Sequence, residues 1–511
     1  MKGIFKMKTK KLAIFLFTLI FSICMIPMNV FAEPRAVTEG STASITVNSA
    51  VKNDVLAAYK VIDITYNATS NHVSYAWNSD FANYFAGTTS YNTTDYTVEA
   101  FAALTDDSDA LKTLLAGLPK YIAYTNIAAA KTETVAADGT ATFADLAMGE
   151  YFIRPTSTTS VYQLMLQKVE PTVGTVDGNK AYVIDDVNFD AKHREANITK
   201  TADKTSVTKN EKVSYTVTVD IPTYAAEATD KTFYVADLLP DGLTLDTTSI
   251  KVTRDGTEIT ALAGTDYTLD KTSNTTVEPY YTFKLSVSTA QYAASWSANG
   301  GKQLVITYTA TLNDNNTTVV NTKETNKATF DYSNYPYVAD SHGTKTASVD
   351  VTTFAIKIDK FVNNEESNKL KGAKFDLYRT ATQAEIGAGT AVDIPHTTIK
   401  GIKLEGNLVT DASGVATFEK YEANGKNYDY YLVETQAPSG YNILDNAIKV
   451  NFTADNVAAT DGVYTVKVPN SSGFRLPITG GTGTVLFTVV GIALMAGAVI
   501  LFVIPRRKIK N

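Results

Sequence analysis

Val213-Ser214-Tyr215-Thr216-Val217-Thr218-Val219 alternates apolar and polar side chains. Successive side chains of a strand point to opposite faces of a sheet, so this pattern predicts a β-strand with one buried face. Similar runs occupy 304–310 and 447–452, and Asp-Gly, Asn-Gly and Pro punctuate the sequence between such runs. Short alternating runs separated by turn signals predict an all-β protein built from β-sandwich domains.

One stretch, 98–124, departs from this pattern because its apolar residues recur near the helical period of 3.6. Asp106, Asp107 and Ser108 interrupt it, and Ser108 is a suitable N-cap for a second helix. We therefore expect a small helical insertion in the N-terminal domain, with its apolar stripe in the core. The stripe consists of Phe101, Leu104, Leu111, Leu114, Leu115 and Leu118.

The chain between its two terminal signals is about 450 residues long, which at about 150 residues per domain predicts three domains. We expect tandem immunoglobulin-like β-sandwiches. The expected divisions are an N-terminal domain at 33–190, a middle domain at 191–351 and a C-terminal domain at 352–471.

Composition excludes several classes of protein. The single cysteine, Cys24, lies in the leader described below, so no disulfide is available to the rest of the chain. A net charge of −7 with scattered lysines argues against nucleic acid as a partner. The four histidines are dispersed, and no Ser-His-Asp, HExxH or phosphate-loop pattern occurs. The sequence predicts no enzyme, no metal site and no cofactor.

The N-terminus has the pattern of a secretory signal peptide, expected at 1–32. Lysines precede an apolar run at 12–28, and Val30-Phe31-Ala32 is a small-residue cleavage site. Cys24 follows Ile23, where a lipobox requires a small residue, so a lipidated cysteine is not expected.

The C-terminus begins with a pentapeptide and ends in a basic cluster. An apolar run at 485–504 is predicted to be a transmembrane segment, since twenty residues at about 1.5 Å each match a bilayer core of about 30 Å. The tail at 505–511 is predicted to be cytoplasmic. Without the pentapeptide, an ordinary single-pass anchor would be preferred; a GPI signal would end in its apolar tail. The pentapeptide is Leu476, Pro477, Ile478, Thr479 and Gly480.

This order of motif, apolar run and basic tail resembles the LPXTG sorting signal of Gram-positive surface proteins. The resemblance implies that a sortase cysteine attacks the carbonyl of Thr479, releases Gly480 onward and passes the acyl group to an amine. The chain would be secreted and anchored to the cell wall as a substrate of that chemistry.

The third domain carries a more specific set of motifs. Residues 430–441 resemble the E-box of pilins and of collagen-adhesin B-type domains. Residues 356–360 and 370–375 match the opening strand and the "LxGAxF" turn of that family, and 466–470 match its closing strand.

That resemblance implies a spontaneous isopeptide bond between Lys360 and Asn470, assisted by Glu434. The chemistry has a physical basis, because burial favours the neutral, nucleophilic form of an amine. A buried carboxyl likewise keeps its proton, which would allow Glu434 to polarise the Asn470 carbonyl. The alternative is a solvated strand lysine and a surface ion pair.

The second domain resembles the fimbrial middle domain whose bond joins Lys to Asn with an Asp as catalyst. The corresponding residues here are Lys200, Asn326 and Asp237. Asp237 is alternatively a turn residue before Pro-Asp-Gly. In the first domain Asn48 stands where a lysine would be expected, and although 148–153 is similar to an E-box strand, no bond is predicted there.

Lys192 is the predicted pilin-linkage lysine. Backbone pilins carry it in a "VYPKN" motif just before the middle domain's first strand, and Lys192 occupies that place. Ala191 replaces the Pro of the motif and His193 its Asn. Lys180 and Lys168 are the other candidates, and Lys192 is alternatively an ordinary linker lysine.

The resemblance implies a structural function: a major pilin that forms the shaft of a sortase-assembled pilus, is attached to peptidoglycan and supports adhesion. Its partners would be pilus-type and housekeeping sortases, identical subunits and peptidoglycan, with minor pilins and a host surface as further candidates. The alternative is a wall-anchored adhesin or a minor (ancillary or basal) pilin that binds a host ligand. A covalent ladder in denaturing gels separates the two.

Overall fold

The structure is a computed structural model that describes residues 35–105, 108–259, 265–313, 323–423, 428–453, 461–473 and 482–503. Strands predominate and form paired sheets, with short helices confined to a few segments. The predicted all-β class, with tandem β-sandwiches and a small helical insertion in the first domain, is confirmed.

The chain divides into two compact units. The first contains the chain up to Glu195 together with Tyr224–Asp230 and Ser333–Gly343. Its strands are β1 (Arg35–Ala36), β2 (Thr42–Asn48), β3 (Val55–Asn67), β4 (His72–Trp77), β5 (Lys131–Thr134), β6 (Ala141–Ala147), β7 (Gly149–Ser157), β8 (Ser160–Tyr162), β9 (Met165–Val169), β10 (Thr172–Val176), β11 (Asn179–Ile184), β12 (Val187–Asp190) and β13 (His193–Glu195).

The largest sheet of this unit has the order β4-β3-β7-β9, with β5 also paired to β3. A second sheet, β12-β2-β6, places β12 parallel to β2, with Asp190 opposite Asn48. Smaller sheets are β1-β11-β10 and β13-β8. The strict alternation of buried residues along β2 shows why it forms a strand with one face in the core.

The helical insertion forms as predicted. It contains α1 (Ala82–Phe85), α2 (Val98–Ala102) and α3 (Asp109–Thr125). The Ser108 side chain accepts a hydrogen bond from the backbone N–H of Leu111 at 3.3 Å, which caps α3 as expected. The leucines of α3 are buried in the core of the unit, whereas α1 was not predicted.

The second unit comprises Ala196–Thr223, Lys231–Tyr332 and the chain from Thr344 onward. Its first sandwich has sheets of order β14-β15-β22-β18-β19, with β17 beside β22, and β20-β21-β16-β23-β24. The strands are β14 (Ile198–Ala202), β15 (Lys212–Asp220), β16 (Phe233–Leu238), β17 (Leu243–Leu245), β18 (Lys251–Arg254), β19 (Thr257–Ile259), β20 (Thr268–Asp270), β21 (Phe283–Val287), β22 (Gln303–Leu312), β23 (Lys323–Ser333) and β24 (His342–Thr352). Between β21 and β22 lie α4 (Thr289–Gln291), a π-helix (Tyr292–Trp296) and a 3₁₀ helix (Ser297–Asn299).

The second sandwich of this unit has sheets of order β26-β25-β30, with β33 beside β25, and β28-β29-β27-β31-β32. The strands are β25 (Phe354–Val362), β26 (Glu365–Lys369), β27 (Lys374–Thr380), β28 (Val392–Asp393), β29 (Lys400–Val409), β30 (Val415–Tyr421), β31 (Tyr430–Gln436), β32 (Ile448–Val450) and β33 (Val463–Asn470). Helices α5 (Gln383–Gly387) and α6 (Thr482–Val503) complete the described chain.

The predicted transmembrane segment at 485–504 is not supported. Within the described residues, no helix is long and apolar enough to cross a membrane. The signal peptide at 1–32 and the basic tail at 505–511 lie outside the described residues.

Candidate functional site

The structure brings the three predicted residues of the third domain together in its interior. Lys360 lies on β25, Asn470 on the parallel neighbour β33, and Glu434 on β31 of the facing sheet. The Lys360 Nζ is 3.0 Å from the Glu434 Oε1, and the Asn470 Nδ2 donates to the same oxygen at 3.1 Å. Each residue is at most 2% exposed. The carboxyl therefore lies between the amine and the amide.

Backbone register accounts for this placement. In the parallel ladder Lys360 is opposite Val468, so Asn470 follows two residues later on the same face of the sheet. Gly372, at φ +91°, supplies the left-handed turn before β27, which pairs with the strand that carries Glu434. The backbone N–H of Leu444 donates to the Glu434 Oε2 at 2.9 Å and fixes the carboxyl's orientation.

Burial controls the charge state of this cluster. Desolvation lowers the pKa of the Lys360 ammonium, and the nearby Glu434 carboxylate opposes that shift without cancelling it. The centre of the Phe375 ring lies 5.5 Å from the Nζ, so an apolar ring lines one side of the amine. These conditions favour the uncharged amine, which is the nucleophilic form.

The amide of Asn470 has an acceptor without a partner. Its Oδ1 is buried and forms no hydrogen bond with any described group. Turning the amide by 180° would place that oxygen against Glu434, where a protonated carboxyl would donate to it. That arrangement satisfies the buried oxygen and polarises the carbonyl carbon that an amine would attack.

The second domain contains a related cluster. Lys200 lies on β14, whereas Asp237 on β16 and Asn326 on β23 belong to the facing sheet. The Lys200 Nζ forms an ion pair with the Asp237 carboxylate, and both side chains are fully buried. Asn326 is likewise 0% exposed. Asp237 is therefore a core residue and not the turn residue that was the alternative interpretation.

A fourth residue, Tyr308 on β22, joins this cluster, and no sequence motif pointed to it. Its hydroxyl accepts from the Lys200 Nζ at 2.7 Å and from the Asn326 Nδ2 at 2.7 Å, and it donates to the Asp237 Oδ1 at 2.8 Å. In sequence Tyr308 is one aromatic core position of an alternating run. The one sequence feature that could have indicated this role is a tyrosine at a core-facing position, because a buried tyrosine hydroxyl requires a hydrogen-bond partner.

Burial shifts the pKa of Lys200 in the same direction as that of Lys360. Desolvation lowers the pKa of Lys200 and raises the pKa of Asp237, and the attraction between the two groups only partly offsets it. The pair is thereby shifted toward a neutral amine and a neutral acid. The middle-domain cluster can therefore supply a nucleophile, a proton-holding carboxyl and an amide, and the third-domain cluster brings an amine, a carboxyl and an amide together in the same buried way.

The first domain lacks such a cluster among the described residues. Strand β2 ends in Asn48 and contains no lysine. Glu150 on β7 is 4% exposed, and the Lys168 Nζ lies 3.9 Å from its Oε2. Lys168 is on β9, so this pair is not equivalent to the other two clusters.

Lys192 lies in the short connection between β12 and β13, and its side chain is exposed. The backbone around it is fixed: the Ala191 N–H donates to the Asn48 carbonyl at 2.8 Å, and the Lys192 carbonyl accepts from the Gln163 N–H at 2.9 Å. The His193 Nε2 is 2.8 Å from the Ser49 carbonyl oxygen. A free amine is thus presented from a rigid stretch of backbone.

Two other expectations concern groups away from these clusters. The sorting motif, Leu476 to Gly480, lies outside the described residues. Among the residues that the structure describes, no group of His, Cys, Asp or Glu is arranged to hold a metal ion.

Comparison with known families identifies two segments. Residues 354–465 match the model described as a prealbumin-like fold domain, and residues 468–511 match the LPXTG cell wall anchor motif. The second match covers the pentapeptide and everything after it. Both matches fall on the segments in which the sequence motifs lie.

Two known surface proteins are similar to this chain over more than half of its length. The chain is 28% identical to fimbrial subunit type 1 of Actinomyces viscosus over 341 residues, which cover 60% of this chain and 63% of that protein. It is 25% identical to the trypsin-resistant surface T6 protein of Streptococcus pyogenes serotype M6 over 366 residues, which cover 58% of this chain and 64% of that one. The matched parts thus span slightly less than two thirds of each relative.

A solved structure shares the fold. The T6 backbone pilin of serotype M6 Streptococcus pyogenes, described as a modular three-domain structure, superposes with a TM-score of 0.58 at 18% identity. The superposition covers 86% of this chain and 100% of that chain. The chain therefore shares the overall fold of that solved structure.

Together these matches show that the chain resembles LPXTG-anchored surface proteins of Gram-positive bacteria. The resemblance to fimbrial and pilin subunits is confirmed, as is the expected location at the cell wall on the cell surface.

Proposed function

We propose that this chain is the shaft subunit of a sortase-assembled covalent pilus. The observation that carries the proposal is the pair of buried Lys–carboxyl–Asn clusters, one in each sandwich of the second unit. A shaft subunit has to transmit tension through its domains, and a covalent bond between distant strands resists extension in a way that a hydrogen-bonded sheet does not.

In each cluster the lysine amine attacks the asparagine side-chain carbonyl and ammonia leaves. Glu434 serves the Lys360–Asn470 bond and Asp237 the Lys200–Asn326 bond, each as the group that holds and returns protons. The third-domain bond joins adjacent parallel strands, the first and last of that sandwich. The middle-domain bond joins two facing sheets, because Asn326 lies on the penultimate strand β23.

The proposed organisation keeps the expected divisions. The N-terminal domain at 33–190 precedes the middle domain at 191–351 and the C-terminal domain at 352–471, and the sorting motif at 476–480 follows. The first domain has neither bond. A domain that carries no tension does not need one, so the first domain is proposed to lie outside the path along which tension passes through the subunit.

Assembly proceeds through the C-terminal signal. A pilus-type sortase cleaves after Thr479 and transfers its carbonyl to the Lys192 amine of an identical subunit, and a housekeeping sortase transfers the last subunit to peptidoglycan. Two features support Lys192 as the acceptor: its exposed side chain and the fixed backbone on both sides of it. Minor pilins and a host surface are the further partners that such a fibre would meet.

Replacing Leu476 or Pro477 by Ala should remove the protein from the wall fraction, because a sortase reads the extended pentapeptide in its groove. Immunoblots of wall, membrane and medium fractions measure this. Ile478→Ala, at the variable position of the motif, is the matched control and should leave wall attachment intact. Unchanged wall attachment of Leu476→Ala and Pro477→Ala would rule out processing at this motif.

The proposed function itself is tested on wall extracts. A shaft subunit gives a ladder of high-mass species that survives boiling in denaturant, because its subunits are joined covalently. A wall-anchored adhesin or a minor pilin gives at most a single band or a band within a ladder built of another protein. Absence of any ladder in which this chain is the repeating unit would overturn the shaft assignment.

A further inference from the structure

The hydroxyl of Tyr308 lies at the centre of the middle-domain cluster and uses its complete hydrogen-bonding capacity there. It accepts from the Lys200 amine and the Asn326 amide and donates to the Asp237 carboxylate. A phenolic hydroxyl has one proton and two acceptor lone pairs, so all three are engaged. Tyr308 is 2% exposed, so no solvent substitutes for these contacts.

The third domain shows why a middle-domain bond needs this additional group. There Glu434 touches both reacting residues directly, with the Lys360 Nζ at 3.0 Å and the Asn470 Nδ2 at 3.1 Å. Asp237 is one methylene shorter. In the described structure its carboxylate contacts Lys200 and Tyr308, and no hydrogen bond joins it to Asn326.

Tyr308 fills the gap between the acid and the amide. The path from the Asp237 Oδ1 through the Tyr308 hydroxyl to the Asn326 Nδ2 consists of hydrogen bonds of 2.8 and 2.7 Å. In the third domain the ring beside Lys360 is that of Phe375, which lies opposite Glu434 in the β27–β31 pair and has no hydroxyl. A shorter acid combined with a tyrosine thus spans the distance that the longer acid spans alone.

We propose that the Tyr308 hydroxyl is a catalytic proton relay in the formation of the Lys200–Asn326 bond. This inference rests on the proposed function, since it assigns a residue to a bond that the proposal introduces. It adds a reacting group that neither the sequence motifs nor the third-domain cluster contains.

The relay balances without any co-reactant. The neutral Lys200 Nζ attacks the Asn326 Cγ, and a new Nζ–Cγ bond forms. Tyr308 gives its proton to the Asn326 Nδ2 and takes the acid proton of the neutral Asp237 carboxyl, and the attacking Nζ passes a proton to the Asp237 carboxylate so formed. The Cγ–Nδ2 bond breaks, ammonia leaves, and Asp237 and Tyr308 end in the protonation states in which they began.

Burial keeps Tyr308 in the protonation state that the relay requires. Burial raises the pKa of the Tyr308 phenol well above its ordinary value, so it remains protonated and can both accept and donate. Tyr215 provides a contrast beside it: its ring stacks on Tyr308 at 5.3 Å, but its hydroxyl is buried next to Asn326 without a well-aligned hydrogen bond. Of these two neighbouring tyrosines, Tyr308 has a hydroxyl that is hydrogen-bonded to both the acid and the amide, and Tyr215 does not.

The test compares Tyr308→Phe with Tyr215→Phe in the full chain made by cell-free synthesis. Samples are quenched in acid at intervals and digested, and the Lys200–Asn326 and Lys360–Asn470 cross-linked peptides are quantified by mass spectrometry. Loss of a general acid–base group typically slows a reaction by about 10²- to 10⁴-fold, and we expect that effect for Lys200–Asn326 in Tyr308→Phe. The Lys360–Asn470 bond should form at the wild-type rate, which would show that the third domain folds and that the change acts on the middle domain.

The outcomes are distinct. Tyr215→Phe should form both bonds at close to the wild-type rate. Wild-type formation of Lys200–Asn326 in Tyr308→Phe would overturn the relay while leaving the bond itself in place. Equal slowing in both variants would also overturn it, because packing and not the relaying hydroxyl would then be responsible. Absence of Lys200–Asn326 from the wild-type chain would overturn the middle-domain bond and the relay together.

Discussion

Glu434→Ala and Asp237→Ala should each increase the mass of the mature protein by one ammonia relative to an otherwise identical bonded chain. The wild-type chain itself should be two ammonia masses lighter than its sequence requires. Each proposed bond closes a loop of more than about 100 residues, which in the chain-entropy model for cross-links is worth about 5 kcal/mol. For domains of this size the affected unfolding transition should fall by on the order of 15 °C.

Intact-mass spectrometry and calorimetry measure the two effects. Glu366→Ala is the matched control, because Glu366 is an exposed acid that pairs with Lys467 at 2.7 Å on the surface of the same domain. It should change neither the number of ammonia masses lost nor, appreciably, the unfolding temperature. A wild-type chain of unmodified mass would contradict both proposed bonds.

Lys192→Arg should abolish the covalent ladder and leave monomeric protein attached to the wall. Arginine keeps the charge and much of the length of the side chain but removes the amine that receives the Thr479 carbonyl. Attachment to peptidoglycan does not use Lys192, so it should persist. The measurement is an immunoblot of wall extracts after denaturing electrophoresis.

Lys180→Arg and Lys168→Arg are the controls for this experiment, and both should polymerise normally. The Lys168 Nζ lies near the buried Glu150 carboxylate, and Lys180 lies in the β10–β11 hairpin. Among the described residues, Lys192 has no ion-pair partner. A normal ladder in Lys192→Arg, with loss of the ladder in either control, would move the acceptor to that lysine.

Much of the fold could be predicted because it depends on local patterns. The run at 213–219 lies within β15, and the run at 304–310 within β22, since alternation at period two is sufficient for a half-buried strand. The interruption before α3 was likewise visible because Ser108 is a favourable cap. The third-domain cluster was predictable from three separate motifs that converge on one site.

The remainder depends on which strands face one another. Tyr308 lies 71 residues from Asp237 in sequence, and only the packing of two sheets brings its hydroxyl to the carboxylate. No periodicity distinguishes a catalytic tyrosine from the other aromatic residues of the core. The position of Asn326 on the penultimate strand could not be predicted for the same reason, because local sequence does not determine strand order within a sheet.

These subunits are proposed to be joined end to end by a covalent bond, and mass spectrometry of the native wall polymer detects that bond. After protease digestion, we expect a branched peptide in which the Thr479 carbonyl is bonded to the Nζ of Lys192. A polymer that yields Thr479 bonded only to peptidoglycan, and to no lysine of this chain, would contradict it.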